Sequence, residues 1–411
     1  MSFFGVPLSG LIASQDQLQS VSNNLANLDT VGYKDQNVSF SDIFAQSSAT
    51  NGTDDPVQTG LGVAPSQTTS DFTDGAQSAT GISSNMALTG NGFFVTQTST
   101  GSTDYTRAGD FTTNGSGQLT TPSGDLVMGY PAVNGVVSTT SALQPLQIGS
   151  GAVLPATATT SFQLSTNLSS SAATGTSFAS TTPVYDSLGT SHVLTVDYTK
   201  TGTNTWSYTV NVPTADTGAS SSVVASGNLT FDSSGNLTSP TGTVPISIPT
   251  LTDGASSMSL SWNLSDSSGN SSVTQTDLAS TTSATTQNGN ASGTLTSYTV
   301  ATDGTVEGTF SNGKTSALGQ VAVANFANMQ GLLSIGDNSY VATTGSGDAQ
   351  VGIAGTGGRG SITGGYVESS NVDVATEFAK MIVAQQAYQA NAKTVTTLDQ
   401  ISQATIQMLS A

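Results

Sequence analysis

The sequence contains no cysteine and a single histidine, His192. Without cysteine the chain has no disulfide framework, no thiolate nucleophile and no cysteine-ligated metal site. One histidine cannot form a histidine cluster, so we expect His192 to make a hydrogen bond that stabilises the fold. We therefore predict no catalytic residue, no cofactor and no metal site, and we do not expect the chain to be an enzyme.

Charged residues are also scarce. They make up 8% of the sequence, against about 25% in typical globular proteins, and Ser, Thr, Asn and Gln take their place. The net charge is -19, from 26 acidic and 7 basic residues. Nucleic acids and anionic membranes bind clusters of basic side chains. This charge balance therefore argues against both as partners.

Long apolar runs are missing as well. No segment approaches the roughly 20 apolar residues of a transmembrane helix, so we expect no membrane insertion. The N-terminal stretch MSFFGVPLSGLIASQDQ has no basic region before its short apolar part, which makes it a poor secretory signal. If the protein leaves the cell, we expect a route that reads an uncleaved N-terminus.

The sequence does contain a helical apolar pattern at each end. From Pro7 the spacing alternates between three and four residues, and a seven-residue repeat begins at Val374 after a capping box at Ser370 to Asp373. This spacing predicts two helices with a coiled-coil-like seam. The predicted seam residues are Leu11, Leu18, Val21, Leu25 and Leu28 in the first helix, and Val374, Phe378, Met381, Tyr388, Val395, Leu398, Ile401 and Met408 in the second.

Two arrangements of these helices stay open. They form a hairpin within one chain, or they also pack against helices of other copies. A hairpin would cover one stripe on each helix and leave apolar residues such as Ile12, Ile382 and Val383 exposed. We therefore expect helices of other copies to supply the missing cover.

Between the two ends the pattern changes to strands and turns. Asn-Gly and Asp-Gly pairs lie between apolar or Thr-rich runs, as β-hairpins require. We predict an α+β fold, mainly β, with paired terminal helices and two antiparallel β barrel or sandwich domains in a nested chain. The predicted parts are a terminal helical domain (1–28 with 372–411), an extended connecting arm (29–72), an inner β domain (73–148 with 296–371) and an inserted outer β domain (149–295).

Several stretches resemble one protein family. SGLIASQDQLQSVSNNLANLDTVGYK and VESSNVDVATEFAKMIVAQQAYQANAKTVTTLDQISQATIQML are similar to the terminal signatures of the rod, hook and hook-associated axial proteins of the bacterial flagellum. LTGNGFFVTQ resembles the family's first β domain, and TPVYDSLGTSHVLTVDYTK resembles the outer-domain signature of its hook members. The matching residues are Asn23, Asn24, Ala26, Asn27, Thr30, Gly32, Tyr33 and Lys34 near the N-terminus, and Asp186, Gly189 and His192 in the outer domain.

The resemblance implies a structural role. Copies of the chain would polymerise through the terminal helices into the hook, a curved flexible tube that acts as a universal joint and passes motor torque from rod to filament. The implied partners are other copies, the flagellar rod, the hook-cap and hook-filament junction proteins, and the export apparatus. The implied location is extracellular, in the hook of the flagellar basal body, reached by the flagellar type III pathway.

One short motif and the identity of the assembly stay open. Phe40 and Phe44, in FSDIF, resemble the paired-phenylalanine export-gate signal of rod and hook subunits, or they simply pack in a hydrophobic cluster. A distal rod protein with an enlarged outer domain is an alternative to a hook subunit. A secreted β-rich adhesin and a glycan-active enzyme are more distant alternatives, and neither explains the two terminal helices.

Overall fold

The two long helices lie at the ends of the chain, and strands fill most of the part between them. The computed structural model describes residues 4–43, 46–50, 56–149, 151–266 and 268–409. Its element order confirms the predicted mainly β class with N- and C-terminal helices. Contacts divide the chain into unit 1, Met1–Ser150 with Ser297–Gly308 and Thr315–Ala411, and unit 2, Gly151–Thr296 with Thr309–Lys314.

Helix α1, Gly5–Ala26, opens unit 1. The seam pattern predicted a helix through Leu28, and that end is wrong. The N–H of Asn27 bonds to the carbonyls of Asn23 and Asn24, and the chain then leaves the helix in a turn. Leu28 therefore lies beyond the helix, because local hydrogen bonds and not the apolar spacing set the helix end.

Residues 29–72, predicted as an extended connecting arm, fold back on themselves. Strand β1, Gln36–Asp42, pairs antiparallel with β4, Val63–Ser70. Between them, β2, Gln46–Thr50, pairs antiparallel with β3, Pro56–Thr59. This part of the chain is thus made of two antiparallel strand pairs, and its two ends return to the same region of unit 1.

Short strands continue unit 1 up to its boundary with unit 2. The strand Leu126–Val133, β11, pairs with five other strands along its length. The strands are β5 (Gln77–Ala79), β6 (Met86–Thr89), β7 (Phe93–Gln97), β8 (Thr103–Thr106), β9 (Thr112–Thr113), β10 (Leu119–Thr120), β11 (Leu126–Val133), β12 (Val136–Val137) and β13 (Gln144–Pro145).

Unit 2 is a β-sandwich. Trp206 and Trp262 come from different sheets and are both fully buried in one shared core. Its elements are β14 (Val153–Leu154), β15 (Ser161–Ser169), β16 (Ser177–Tyr185), β17 (Ser191–Gly202), β18 (Thr205–Asn211), α2 (Thr214–Thr217), β19 (Val223–Phe231), β20 (Leu237–Ser239), β21 (Thr243–Ile248), β22 (Met258–Asn263), β23 (Val273–Thr276) and β24 (Thr281–Gln287). One sheet has the order β21-β22-β15-β23 with β24 also on β15, and the other has the order β16-β17-β18-β19-β20.

The chain returns to unit 1 through two strands that have residues in both units. These are β25 (Gly293–Val300) and β26 (Thr305–Phe310). The later strands are β27 (Thr315–Val321), β28 (Val323–Asn325), β29 (Leu333–Gly336), β30 (Ser339–Val341), β31 (Gln350–Gly352), β32 (Ser361–Gly364) and β33 (Tyr366–Glu368), with a 3-10 turn at Met329–Gly331.

The core of unit 1 has two parts on opposite faces of the strand β7. Successive side chains of a strand point to opposite faces, so Phe93 packs with Tyr340 in one cluster and Phe94 packs with Phe111 in the other. The paired ring centroids lie 5.5 and 5.1 Å apart in edge-to-face geometry. In the sheet order β14-β25-β26-β27-β11-β7-β8-β30-β29, β7 is an interior strand between β11 and β8.

Helix α3, Val374–Leu409, closes the chain. The predicted capping box at Ser370 to Asp373 placed the cap three residues too early. The Asp373 carboxylate accepts from the Ala375 N–H at 3.0 Å and from the Thr376 hydroxyl at 2.7 Å, so Asp373 is the N-cap. Among the described helices, none is long and apolar enough to cross a bilayer.

Candidate assembly surface and the junction beside it

Helices α1 and α3 pack against each other in antiparallel directions. Near the end of α1 the Asn24 side chain donates to Glu377 Oε2 at 3.1 Å, whereas near its start Gly10 lies against Asn391. A Cβ atom at Gly10 would lie 2.8 Å from Asn391 Nδ2, so the two helices approach closely there. The helix pair within one chain, one of the two arrangements left open above, is therefore present.

The predicted seam residues differ in burial within one subunit. Val21 is buried, whereas Phe378, Tyr388, Ile401 and Met408 are exposed. The helix contact also uses Ala13, Glu377 and Ala384, which are buried and which the apolar pattern missed because they are small or charged. The half-buried seam residues are Leu11, Leu18, Leu25, Leu28, Val374, Met381, Val395 and Leu398.

A set of large apolar side chains on these helices stays exposed in one subunit. The C-terminal part of α3 is the extreme case, since every residue from Ile401 to Met408 is exposed and Met408 reaches 83%. Soluble proteins rarely expose so many large apolar side chains unless they bind a partner. We call this set the terminal apolar surface: Phe4, Val6, Leu8, Ile12, Phe378, Ile382, Val383, Ile401, Ile406 and Met408.

Asn24 connects α1, the following turn and α3. Its side-chain oxygen accepts from the Tyr33 hydroxyl at 3.1 Å and from the Gln36 N–H at 3.0 Å. Its amide nitrogen donates to Glu377, to the Gln36 carbonyl and to Asp35. Burial, together with the Asp35 and Glu377 charges, raises the pKa of Tyr33 to about 12. The Tyr33 hydroxyl therefore stays protonated and keeps donating.

Lys34 and Glu368 form a buried ion pair in the same junction. Lys34 Nζ lies 2.7 Å from Glu368 Oε1, and the two side chains are 0% and 1% exposed. Lys34 Nζ also donates to the Thr73 carbonyl at 2.7 Å, and the Gly75 N–H donates to Glu368 Oε1 at 2.8 Å. Burial lowers the pKa of Lys34, and the Glu368 charge opposes that shift. Arg107 NH1 lies 3.6 Å from Glu368 Oε2 and adds a second positive charge.

Gly32 is held where a side chain does not fit. Its φ of +69° lies in the left-handed region, and its N–H donates to the Glu368 carbonyl at 2.8 Å. A Cβ atom there would lie 2.6 Å from the Ala108 nitrogen. A glycine is thus required on both backbone and steric grounds.

The other residues of the N-terminal motif lie around this turn. Asn27 and Thr30 are half-buried, and the Thr30 hydroxyl donates to Asn27 Oδ1 at 3.2 Å. Asn23 and Ala26 are exposed. Within the motif, Asn24 and residues 32–34 are therefore buried, whereas the other residues at the end of α1 are more exposed.

Phe40 lies half-buried in β1, at a shift in register between Ser39 and Phe40 in the pairing with β4. Phe44, its predicted partner in the export signal, lies outside the described residues. The pairing of the two phenylalanines therefore stays a prediction.

The outer-domain signature lies in unit 2 and surrounds His192. Its Nε2 lies 3.0 Å from Asp186 Oδ2, and its Nδ1 lies 3.1 Å from Asp216 Oδ2. Burial would raise the pKa of Asp186, but hydrogen bonds from His192 and from the Thr190 and Leu188 N–H groups lower it to about 2. Burial would lower the pKa of His192, and the hydrogen bonds to the two aspartates outweigh it and raise that pKa.

Gly189 completes this turn, with a φ of +88°. A Cβ atom there would lie 2.8 Å from Ala156 Cβ, so the position favours glycine. Sequence reasoning missed Asp216 and a further nearby carboxylate, Asp253, because they come from segments distant in sequence and carry no local motif.

Family models match four parts of the chain. Residues 153–290 match the flagellar basal body protein FlaE D2 domain, and residues 87–167 match the flagellar hook protein FlgE/F/G D1 domain. Residues 6–34 match the flagella basal body rod protein model, and residues 363–408 match the flagellar basal body rod FlgEFG protein C-terminal model.

Individual relatives match almost the full length. The flagellar hook protein FlgE of Salmonella typhimurium is 38% identical over 97% of this chain and 98% of its own length, and that of Escherichia coli has the same values. The flagellar hook protein FlgE of Treponema pallidum is 31% identical over 97% of this chain and 96% of its own length. The crystal structure of Helicobacter pylori flagellar hook protein FlgE2 is similar in fold, with a TM-score of 0.53 at 15% identity, covering 71% of this chain and 100% of that one.

Proposed function

Because the chain belongs to the flagellar hook protein family, we propose that its terminal apolar surface joins copies of the chain to one another in the hook. The protein is a structural subunit of the hook and serves motility. The single observation that carries the proposal is the exposure of the large apolar side chains on α1 and α3. The near full-length match to hook proteins gives no support to the alternatives of a rod protein or an adhesin.

Burial of apolar side chains supplies the free energy of assembly. Fully burying an Ile or Met side chain stabilises the buried state by roughly 1.5 to 3 kcal/mol. Ile401, Ile406 and Met408 are 57%, 63% and 83% exposed in one subunit, so most of that stabilisation is gained only on assembly. Helices of other copies offer the complementary apolar stripes, as in a multi-helix coiled coil.

We further propose that the helices form the inner part of a tube. Its outer part is then made of what we call the β units, which are unit 2 and the strands of unit 1. The exposed polar residues of α1 and α3 are mostly uncharged, which suits the wall of a channel for unfolded export substrates. The β units expose many Ser, Thr and Asn side chains, whose hydrogen bonds exchange with water at little cost. Such a surface allows neighbouring copies to slide while a curved tube rotates.

The same proposal covers the individual assembly partners of the subunit and the route by which it is exported. The partners are the rod, the hook-cap and hook-filament junction proteins and the export apparatus. The subunit is exported by the flagellar type III pathway without a cleaved signal peptide and works outside the cell. Phe40 with Phe44 is the candidate export-gate signal, which a double alanine variant that folds normally but is not secreted would support.

The experiment that tests the assembly proposal removes apolar side chains from the end of α3. The variant Ile401→Ser, Ile406→Ser, Met408→Ser should stay folded as a monomer, because these side chains are exposed there. It should fail to form filaments at concentrations at which the unmodified protein polymerises, as seen by sedimentation and electron microscopy. Ser402→Ala, in the same exposed segment, is the matched control and should polymerise normally. Normal polymerisation of the triple variant would contradict the proposal.

A further inference from the structure

Three aspartates of unit 2 converge on the imidazole of His192. Asp186 follows β16, His192 lies on β17, Asp216 lies on α2, and Asp253 lies in the turn before β22. Asp186 Oδ2 and Asp253 Oδ2 lie 3.0 and 3.9 Å from His192 Nε2, and Asp216 Oδ2 lies 3.1 Å from Nδ1. The Asp186 side chain is 0% exposed and that of His192 is 5% exposed.

The hydrogen atoms of this cluster do not satisfy all of its oxygens. A neutral imidazole has one N–H. If Nδ1 donates to Asp216, the lone pair of Nε2 faces the carboxylates of Asp186 and Asp253. No lysine or arginine of the described chain forms an ion pair with any of the three aspartates. A positive charge is therefore needed between Nε2 and the two carboxylates, and either a second proton on the ring or a bound metal ion would supply it.

The spacing of the three facing atoms suits a metal ion. Ligand atoms about 2.0 to 2.2 Å from a tetrahedral zinc ion lie roughly 3.3 to 3.6 Å apart. The observed 3.0 and 3.9 Å from Nε2 bracket that range, and the three atoms all lie within 4.8 Å of one another. Small side-chain adjustments would place all three at bonding distance.

The surroundings fix the ligand atoms in place. Asp186 Oδ1 accepts from the Leu188 N–H at 2.8 Å and the Thr190 N–H at 2.9 Å, which leaves Oδ2 directed at His192. The contact between Nδ1 and Asp216 is the one that metal-binding histidines usually make, with a carboxylate on the nitrogen that does not bind metal. The Asp253 side chain is 28% exposed and gives the ion a path from solvent.

We propose that Asp186 Oδ2, His192 Nε2 and Asp253 Oδ2 bind one divalent transition metal ion of the zinc type. Water supplies the fourth ligand, and Asp216 orients the ring. The imidazole nitrogen favours Zn²⁺ over Mg²⁺ and Ca²⁺, which prefer sites made of oxygen atoms. The ion would tie the β16–β17 turn to the turn before β22 and stabilise unit 2.

The test uses the full-length monomer after treatment with EDTA. Calorimetric titration with ZnCl₂ should show one saturable site per chain, with a rise in Tm, whereas MgCl₂ should give neither. Bound Co²⁺ in place of Zn²⁺ should show the visible absorption of a tetrahedral site. Asp216→Asn should weaken Zn²⁺ binding roughly 10- to 100-fold, the usual effect of losing a partner of a metal-binding histidine, and Asp253→Asn should weaken it more.

Asp277→Asn is the matched control, because Asp277 is an exposed carboxylate of the same unit. It should bind Zn²⁺ as the unmodified protein does. The Tm of Asp253→Asn in EDTA checks that this variant folds, since Asp253 lies at the surface. Absence of saturable Zn²⁺ uptake, or equal affinities of the folded Asp253→Asn and Asp277→Asn variants, would show that a proton alone holds the cluster together and would overturn the proposal.

Discussion

Asn24→Ala removes the side chain that links α1, the turn after it and α3. Asn24 is 1% exposed, and its side-chain amide contacts two separate segments of unit 1, residues 33–36 and Glu377. Alanine fits sterically and favours the helix by a few tenths of a kcal/mol over asparagine. The expected loss of stability therefore comes from the hydrogen-bonding groups that the substitution leaves without a partner.

The size of this loss of stability depends on the buried groups that lose a hydrogen-bond partner. The Tyr33 hydroxyl and the Gln36 N–H lose their acceptor, and Glu377 Oε2 loses a donor, although Lys380 Nζ still lies 2.6 Å from Glu377 Oε1. An unsatisfied buried donor or acceptor costs about 1 to 3 kcal/mol. Water reaches part of this site after truncation, so we expect a total loss of about 3 to 5 kcal/mol.

The assay is chemical unfolding of the monomer, followed by far-UV circular dichroism. Asn23→Ala is the control, because Asn23 is the neighbouring residue and is exposed, and among the described residues its side chain bonds only to the Asn27 amide just beyond α1. That variant should stay within about 0.5 kcal/mol of the unmodified protein. Equal losses for the two variants would refute the assignment of Asn24 as the centre of the junction.

Two further predictions concern the same junction. Gly32→Ala should destabilise the monomer by clearly more than Gly81→Ala. Both glycines have a φ of +69°, but of the two only Gly32 has backbone atoms within 3 Å of the added Cβ. Equal midpoints of the two variants in chemical unfolding would contradict this prediction. Lys34→Met should cost about 1 to 3 kcal/mol, because Glu368 loses its nearest charged partner and keeps only the Gly75 N–H and Arg107 at 3.6 Å. Combining it with Glu368→Gln should recover part of that loss, and exposed Lys314→Met should cost little.

The apolar spacing predicted both terminal helices, and the Asn-Gly and Asp-Gly turn signals predicted the mainly β part between them. The end of α1, predicted from the spacing, and the cap of α3, predicted from a capping box, were misplaced, because hydrogen bonds at Asn27 and Asp373 set those boundaries. Phe378, predicted for packing between subunits, is 49% exposed in one subunit, so that role stays a prediction, whereas its neighbour Glu377 is buried. A charged residue that is buried through tertiary hydrogen bonds leaves no apolar signal in a sequence.

At the junction and at the His192 cluster, too, the local motif was visible in the sequence, whereas the partners from distant segments were not. The motif around Gly32 and Lys34 was recognisable in the sequence, but its partner Glu368 lies over 300 residues later in the chain. Likewise, His192 and Asp186 belong to one local motif, whereas Asp216 and Asp253 reach the same imidazole only through the fold. The export role of Phe40 and Phe44 stays a prediction.

The most direct test of the assembly proposal is a cryo-electron microscopy map of filaments formed by this chain. We predict that Ile401, Ile406 and Met408, exposed in one subunit, are buried against α1 or α3 of other copies near the tube axis. A map in which these side chains face solvent, while copies contact one another only through their β units, would contradict it.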